Sequence, residues 1–361
     1  MSAPAGIGEN LCHPESTIAL EWLLDRHIST TRSIIDAYNV AMWERVYETL
    51  ALRSAHGITA HLVWNSEGSG LPAWPEPHSM AMSLYVQRWM QFMDGAPVGS
   101  VASATAGNEG DTLGWVTTDG NPITVDVMAR TAERFARACA PHGVQPWATS
   151  LLSGPDRPII RELSRAISGL CYGVPVHPYY RSIGGAPWPD WYFGTVEDLA
   201  DYCGDVFPDD VACIFDELGC PTVYDGIGES GQAAFCAAVV GFQHPKIDRL
   251  WYFTGPEQAV PQAEIDQGKD WWIIGRPLAE AAFRNALGGS GDMDYTPWIG
   301  AIGPGIIEMM RQDQTLPAQR SSTWLPLGIH PSDVEEAYGQ NGTRYVWLLT
   351  TGKGFRFVPA Q

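Results

Sequence analysis

The chain has 361 residues, of which 45% are hydrophobic and 17% are charged, a balance typical of a globular protein with a sizeable buried core. The formal net charge of −19 argues against a nucleic-acid partner, because phosphate binding needs clustered lysine and arginine. No apolar run reaches ~18 residues, so the sequence predicts no membrane-spanning helix and no membrane partner.

Short apolar runs alternate with amphipathic stretches along most of the chain, and this alternation predicts strands and helices in turn. The predicted strands cover residues 7–12, 29–35, 58–64, 98–105, 144–152, 173–177, 211–215 and 247–253. The predicted helices cover residues 14–27, 40–55, 80–93, 124–139, 159–170, 196–207, 231–242 and 278–287. Eight strand–helix units in strict alternation predict an α/β fold, a (β/α)8 TIM barrel over residues 1–290.

A doubly wound open sheet is the alternative architecture, but the first strand–helix turn lacks the G-x-G-x-x-G fingerprint of such sheets. Residues 291–361 differ in sequence pattern from the strand–helix alternation before them, and they predict a small C-terminal α+β appendage. Within it, Ser332 to Glu335 matches a capping box that would open a short helix. Residues 345–349 and 355–358 predict a β-hairpin.

Two of the predicted strands carry a glutamate at the carboxyl end. Glu109 follows Asn108 after the fourth strand, and Glu217 ends the seventh. The carboxyl ends of the strands form the catalytic face of a β/α barrel, so both carboxylates are expected on that face. Cleavage of a glycoside needs one carboxylic acid to protonate the leaving oxygen and one carboxylate to attack the anomeric carbon or activate water. The pair therefore predicts glycoside hydrolysis.

These motifs resemble those of the clan A retaining glycoside hydrolases. That clan has an Asn-Glu acid/base motif after strand four, a His-x-Tyr element on strand six and a nucleophilic glutamate at the end of strand seven. The matching segments here are Asn108-Glu109, His177-Pro178-Tyr179 and Asp216-Glu217-Leu218-Gly219. The resemblance covers about residues 5–290 and implies a TIM barrel with a retaining, double-displacement mechanism on a poly- or oligosaccharide.

The resemblance also implies roles for individual residues. Glu109 would be the acid/base and Glu217 the nucleophile, and the acid/base would change role as the charge on the nucleophile disappears and returns. Asn108 would hydrogen-bond the sugar 2-hydroxyl, a contact that strengthens in the transition state. His177 or Tyr179 would orient the nucleophile.

Trp251 on strand eight would form the floor of the sugar subsite, and Arg32 on strand two is a candidate partner for the nucleophile. The chain departs from the clan's pattern in two places. Gly110 stands where proline is frequent, and Asp216 stands where the clan has threonine. Because adjacent strand residues point to opposite faces, we expect Asp216 to point away from the site.

Each of these assignments has a structural alternative. Glu109 could be a helix-capping or loop carboxylate, Glu217 could form a salt bridge in the barrel mouth, and His177 could be a satisfied structural histidine. The second functional hypothesis is a catalytically weak or inactive barrel that binds glycan, for example a bacteriophage tail (virion) component.

The sequence predicts no metal and no other cofactor, because its nine histidines show no close pair at ligand spacing. The expected partner is a carbohydrate, such as a cell-envelope glycan, and the C-terminal appendage is the expected contact surface for a homo-oligomer or a virion. The amino end lacks a signal-peptide pattern. We therefore expect synthesis in the cytoplasm, with a virion or cell lysis as the route of release.

Overall fold

The computed structural model describes residues 5–65, 73–111, 116–152, 158–177, 211–219, 229, 232–233, 235–236, 247–257 and 270–286, and the backbone of four strands between residues 305 and 359. Tyr179 and the predicted helix at 196–207 lie outside the described residues, and the predicted helix at 231–242 is described only in part. Within the described ranges, none of the helices combines the length and the apolar character needed to cross a membrane.

A single eight-stranded parallel sheet forms the body of the molecule. Its strands are β1 (Ala5–Glu9), β2 (Thr30–Asp36), β3 (Thr59–Asn65), β4 (Val101–Thr105), β5 (Gln145–Trp147), β6 (Gly173–Val176), β7 (Ala212–Leu218) and β8 (Ile247–Tyr252). Neighbouring strands follow the order β5-β4-β3-β2-β1-β8-β7-β6. A parallel bridge between Leu151 and Val176 then links the segment after β5 to β6. The sheet closes, and the predicted (β/α)8 TIM barrel is confirmed.

In the described part of the chain, helices follow strands as the alternation predicts. They are α1 (Leu20–Asp25), α2 (Trp43–Ser54), α3 (Met80–Gly95), α4 (Val125–Cys139), α5 (Pro158–Ile167) and α6 (Pro277–Ala286). The side chains of Ser79 and Thr124 accept backbone N–H bonds at the starts of α3 and α4. Such caps satisfy donors that the first turn of a helix leaves open.

The apolar core lies partly between barrel and helices and partly inside the barrel. An aromatic layer that includes Trp64 and Trp89 packs β3 against α2 and α3. Inside the barrel, Trp147, Ile214 and Trp251 form a completely buried layer. Residues two positions further along each strand lie on the same face, so the next layer is at the carboxyl ends of the strands.

The C-terminal strands form a separate antiparallel sheet. They are β9 (Gly305–Met310), β10 (Val334–Gln340), β11 (Thr343–Leu348) and β12 (Gly354–Pro359), in the order β9-β12-β11-β10. The predicted hairpin is confirmed, because β11 and β12 pair antiparallel. The division of the chain at residue 290 stays a prediction.

The predicted short helix opening at Ser332 was wrong, because this part of the chain forms β10. Gln340 of β10 pairs with Thr343 of β11, and the two residues between them in the sequence are Asn-Gly. Asn-Gly strongly favours a tight hairpin connection. Pairing with β11 satisfies the backbone of the segment and outweighs the local capping signal.

Candidate active site

The turn after β4 places Asn108-Glu109 at the mouth of the barrel. The chain turns at Gly107, where φ is +93° and an added Cβ would lie 2.1 Å from the Trp74 ring. The N–H of Gly110 donates to the Ser150 carbonyl, and the N–H of Ser150 donates to the Gly107 carbonyl, each at 3.2 Å. The turn is therefore tied to the segment that follows β5.

Glu109 itself has φ of +46°, in the left-handed region that residues with a side chain rarely adopt. Such a conformation costs about 1–2 kcal/mol, and strain of this kind concentrates at functional sites. The Glu109 side chain is 22% exposed, and its Oε1 lies 2.9 Å from Nδ1 of His177. The Glu109 side chain is therefore held by His177 and remains partly open to solvent.

Asp216 and Glu217 both point into the barrel, so the expectation that Asp216 points away was wrong. Leu250 and Tyr252 of β8 pair with residues 215 and 218 of β7, so two steps along β8 match three along β7. The extra residue on β7 is a β-bulge, which interrupts the alternation of side chains between the two faces. Two adjacent acidic residues consequently reach the same site.

Arg32 on β2 connects the two ends of this site. Its Nη1 forms an ion pair with Oε1 of Glu217, as expected. Its Nη2 donates to Oδ1 of Asn108 at 3.1 Å and lies 3.8 Å from Oδ2 of Asp216. The Arg32 side chain is only 2% exposed, so solvent and salt screen these charges weakly.

His177, directly after β6, lies among three carboxyl groups. Its Nδ1 lies 2.9 Å from Glu109 and 3.4 Å from Glu217, and its Nε2 lies 3.1 Å from Oδ1 of Asp216. Burial alone lowers the pKa of His177, but the charges of Glu217 and Asp216 raise it well above the ordinary value. Because each ring nitrogen faces a carboxyl oxygen, the surroundings favour the ring that carries both protons and a positive charge.

Asp216 is completely buried. Its Oδ2 accepts a hydrogen bond from the Ser150 hydroxyl at 2.6 Å. Burial raises the pKa of Asp216, but contacts with His177, His61 and Arg32 outweigh burial and hold the pKa well below its usual range.

Trp251 lies in the layer beneath the carboxylates, so its predicted place as the floor of a sugar subsite is not supported. Its ring is completely buried and stacks on the His61 ring, with centroids 4.5 Å apart. Its Nε1 donates to the Thr30 hydroxyl at 3.3 Å. Phe253, two residues further along, is half-buried and lies just beyond the end of β8. The aromatic side chain nearest the mouth on this strand is therefore Phe253.

The two glutamates are close enough for a shared reaction. A carboxylate oxygen of Glu109 and one of Glu217 lie within 4.8 Å of each other. Retaining glycosidases place their carboxyl groups ~5–5.5 Å apart, whereas inverting enzymes need ~6.5–9.5 Å to admit a water. Glu109, His177 and Glu217 are also residue types that bind metals. Within this group, His177 and Glu109 are joined by a hydrogen bond of 2.9 Å.

The structure brings together five of the residues selected from the sequence, and Tyr179 lies outside the described residues. The five are Arg32, Asn108, Glu109, His177 and Glu217. Sequence reasoning missed the inward orientation of Asp216 and the contribution of Ser150. A serine after a strand carries no local signal for such a contact.

Among the comparisons with known proteins, the comparison with solved structures agrees with the barrel fold. No family model matches the sequence, and no curated protein gives a significant match. The structure is similar to a glucosidase from Croceicoccus marinus, with a TM-score of 0.59 and 13% identity over 80% of this chain and 66% of that one. This chain therefore spans just under two thirds of the glucosidase's length.

Two further solved structures match over nearly their whole lengths. One is a GH5-4 broad specificity endoglucanase from Clostridium acetobutylicum, with a TM-score of 0.53 and 12% identity over 79% of this chain and 96% of that one. The other is a Family 5 xyloglucanase from Paenibacillus pabuli in complex with ligand, with a TM-score of 0.50 and 12% identity over 79% of this chain and 99% of that one. The resemblance to barrels of this clan is confirmed at the level of the fold.

Proposed function

We propose that this protein is a retaining glycoside hydrolase that acts on a polysaccharide or oligosaccharide. The observation that carries the proposal is the approach of Glu109 and Glu217 to within 4.8 Å at the carboxyl ends of β4 and β7. This close approach supports direct attack by one carboxylate, because inverting enzymes hold their carboxyl groups further apart to admit a water. The likeness of the barrel to solved glycosidases supports the same conclusion.

In the first step, Glu217 attacks the anomeric carbon while Glu109 gives its proton to the glycosidic oxygen. The bond between the anomeric carbon and that oxygen breaks, the leaving sugar departs as an alcohol, and an ester to Glu217 remains. Arg32 orients Glu217 through their ion pair. Arg32 also holds Asn108 through its side-chain oxygen, which leaves the amide N–H₂ of Asn108 to donate to the sugar 2-hydroxyl.

In the second step, Glu109 takes a proton from water and the water oxygen attacks the anomeric carbon. The ester bond breaks, Glu217 returns as a carboxylate, and Glu109 is again protonated. Two inversions give net retention at the anomeric carbon. Asp216 and Glu217 balance Arg32 and His177 in charge, so these residues together with a protonated Glu109 form a neutral group before reaction.

The substrate is the finer part of the proposal. The neighbouring structures are named a glucosidase, an endoglucanase and a xyloglucanase, so β-glucans, xyloglucan and an activated aryl β-glucoside are the first substrates to assay. Cell-envelope glycans are the second set. Release by cell lysis or with a virion would bring the enzyme to such glycans.

The decisive experiment compares the wild type with Glu217→Ala and Glu109→Ala. We expect Glu217→Ala to lose activity on the order of 10⁴-fold or more, as removal of a nucleophile does. With an aryl glycoside whose leaving group needs no protonation, Glu109→Ala should form the glycosyl-enzyme but hydrolyse it slowly. Added azide, a nucleophile that needs no general base, should restore turnover and give a glycosyl azide of retained configuration.

Asp126→Asn is the control, because Asp126 is an exposed carboxylate on α4 and its side chain is 69% accessible. Nuclear magnetic resonance of the first product anomer should show retention. An inverted product, or unchanged cleavage by Glu217→Ala, would contradict the proposal. Glycan binding without any released sugar would instead favour the hypothesis of a binding barrel.

A further inference from the structure

We propose that Asp216 is a positioning residue, which anchors Nε2 of His177 so that the Nδ1–H of the ring is aimed between Glu109 and Glu217. This inference rests on the proposed function, in which the two glutamates are the acid/base and the nucleophile. Asp216 touches neither the sugar nor the reacting atoms in this scheme. It acts through His177.

The Asp216 carboxylate is held from several strands at once. Its Oδ1 lies 3.1 Å from Nε2 of His177, which follows β6. Its Oδ2 accepts from the Ser150 hydroxyl at 2.6 Å and lies 3.8 Å from Arg32 on β2 and 3.9 Å from His61 on β3. Because these contacts come from different strands of a closed barrel, the carboxylate has no freedom to turn away from the histidine.

A cationic His177 suits both halves of the proposed reaction. Before the first step the negative charge is on Glu217, and after it the charge is on Glu109, because Glu217 is then esterified. Nδ1 lies 3.4 Å from the first carboxyl group and 2.9 Å from the second, so one N–H faces both positions of the charge. A preorganised donor of this kind stabilises developing charge without having to move.

The charged and titratable groups around His177 come from most of the barrel. In the described part of the chain they are Arg32 on β2, His61 on β3, Glu109 after β4, and Asp216 and Glu217 on β7. Burial lowers the pKa of His61, whose Nδ1 and Nε2 meet the hydroxyls of Ser103 and Thr105 at 2.8 and 3.0 Å. These surroundings favour the neutral form of His61, and Asp216 is the carboxylate that faces Nε2 of His177.

The test uses Asp216→Asn in the full chain, a change that keeps the shape and removes the charge. Selective ¹⁵N labelling of histidine, assigned with His177→Gln, reports the protonation of both ring nitrogens. In the wild type we expect both nitrogens of His177 to stay protonated through neutral pH. In Asp216→Asn we expect one of them to lose its proton at a pH at least one unit lower.

Kinetics give the second measurement. We expect Asp216→Asn to lower kcat at least tenfold at neutral pH, with KM changed less than about twofold. The alkaline limb of the kcat/KM profile should move to lower pH, because the ring loses its charge earlier. Ser150→Ala, which removes only the hydroxyl bonded to Oδ2, should shift the profile in the same direction by less. Asp126→Asn should shift neither measurement.

The outcomes separate this inference from the proposed function. A wild-type His177 that is already neutral at pH 7 overturns the inference, whether or not the variant folds. A uniform loss of kcat at every pH, together with a lower Tm and an unchanged His177 titration, would assign Asp216 a merely structural role. If the wild type cleaves no glycoside, the proposed function fails, while the His177 titration still decides whether Asp216 controls the ring.

Discussion

Two buried charge clusters lie in the same barrel, and they differ in how their partners are shared. In the first cluster, Arg53 of α2 binds both carboxylate oxygens of Glu9 on β1. The N–H of Ile18 donates to Glu9 at 2.8 Å, and Arg53 donates to the Ile18 carbonyl at 2.8 Å and the Thr31 hydroxyl at 3.2 Å. One cation pairs with one anion, and the other contacts of the pair are hydrogen bonds to neutral groups.

In the second cluster the described residues supply three carboxyl groups for two cations. Arg32 is shared between Asp216 and Glu217, and His177 is shared among all three acids. Because the acids outnumber the cations, a proton can move onto or off Glu109 while every charge keeps a partner. The contrast indicates that the Glu9–Arg53 pair holds the fold and that the shared cluster carries the chemistry.

The largest expected effect comes from replacing one glutamate of each cluster, Glu217 or Glu9, with glutamine. Glu217→Gln should lose kcat/KM on the order of 10⁴-fold or more, with a smaller change in unfolding free energy than Glu9→Gln. Glu9→Gln should lose about 3–5 kcal/mol of stability, because it leaves Arg53 buried without its charge partner, and should retain kcat where it is folded. Urea unfolding and steady-state kinetics on both variants check this separation. If folded Glu9→Gln has lost its kcat, the division of roles between the clusters is wrong.

An intermediate effect is expected from the two glycines that flank β4. Gly107 after β4 and Gly99 before it both have positive φ, +93° and +77°, but an alanine Cβ at Gly99 would meet nothing within 4 Å. Gly99→Ala should therefore lose about 1–2 kcal/mol through backbone strain alone. Gly107→Ala should lose more, because it collides with the buried Trp74 ring, and should also lower kcat/KM about tenfold by displacing Glu109.

Urea unfolding and kcat/KM measured on both alanine variants test this contrast. Gly99→Ala is the matched control, because it imposes similar backbone strain at the opposite end of the same strand. Equal losses of kcat/KM in the two variants would show that strain in the loops, and not the placement of Glu109, limits activity.

The barrel and the two glutamates could be predicted because their signals are local, whereas Asn108, His177 and Arg32 were selected through the resemblance to the clan A hydrolases. Apolar runs predict the strands, and a carboxylate that follows a strand is expected on the catalytic face of the barrel. Glu109 and Glu217 could be selected from these two facts. Their mutual distance could not, because it depends on how β4 and β7 sit around the closed sheet.

The predictions that were wrong share one physical cause. Each concerned a residue whose placement depends on contacts with segments distant in the sequence. Asp216 faces inward because it lies two residues after the inward-facing Ile214, and Glu217 joins it because β7 gains one residue against β8, a register that is absent from the sequence of either strand alone. Trp251 was placed one layer too high, because its depth depends on neighbours such as Gly6, whose missing side chain leaves room for the indole. At Ser332, strand pairing overrode a capping signal in the same way.

The smallest expected effect is a pH-dependent difference in stability between the wild type and Asp216→Asn. The folded state lowers the pKa of Asp216, so this group stabilises the fold above its unfolded pKa of about 3.9 and loses that effect as pH falls through the folded value. The folded state raises the pKa of His177, so its contribution is complete below about 6.5 and is lost as pH rises through the raised value. The pair therefore stabilises the protein most between about pH 4 and 6.5.

In urea unfolding at pH 5, 7 and 9, the wild type should have a higher free energy of unfolding than Asp216→Asn. The difference should be greatest at pH 5 and shrink toward pH 9. Asp216 also lies 3.9 Å from His61 and raises its pKa, although burial outweighs this contact and lowers the pKa of His61 below its ordinary value. Asp126→Asn controls for the loss of a carboxylate that lies outside the cluster. An advantage that instead grows from pH 5 to pH 9 would mean that Asp216 does not stabilise a charged His177. The shared cluster would then be a static ion network like Glu9–Arg53, and the electrostatic distinction between the two would fail.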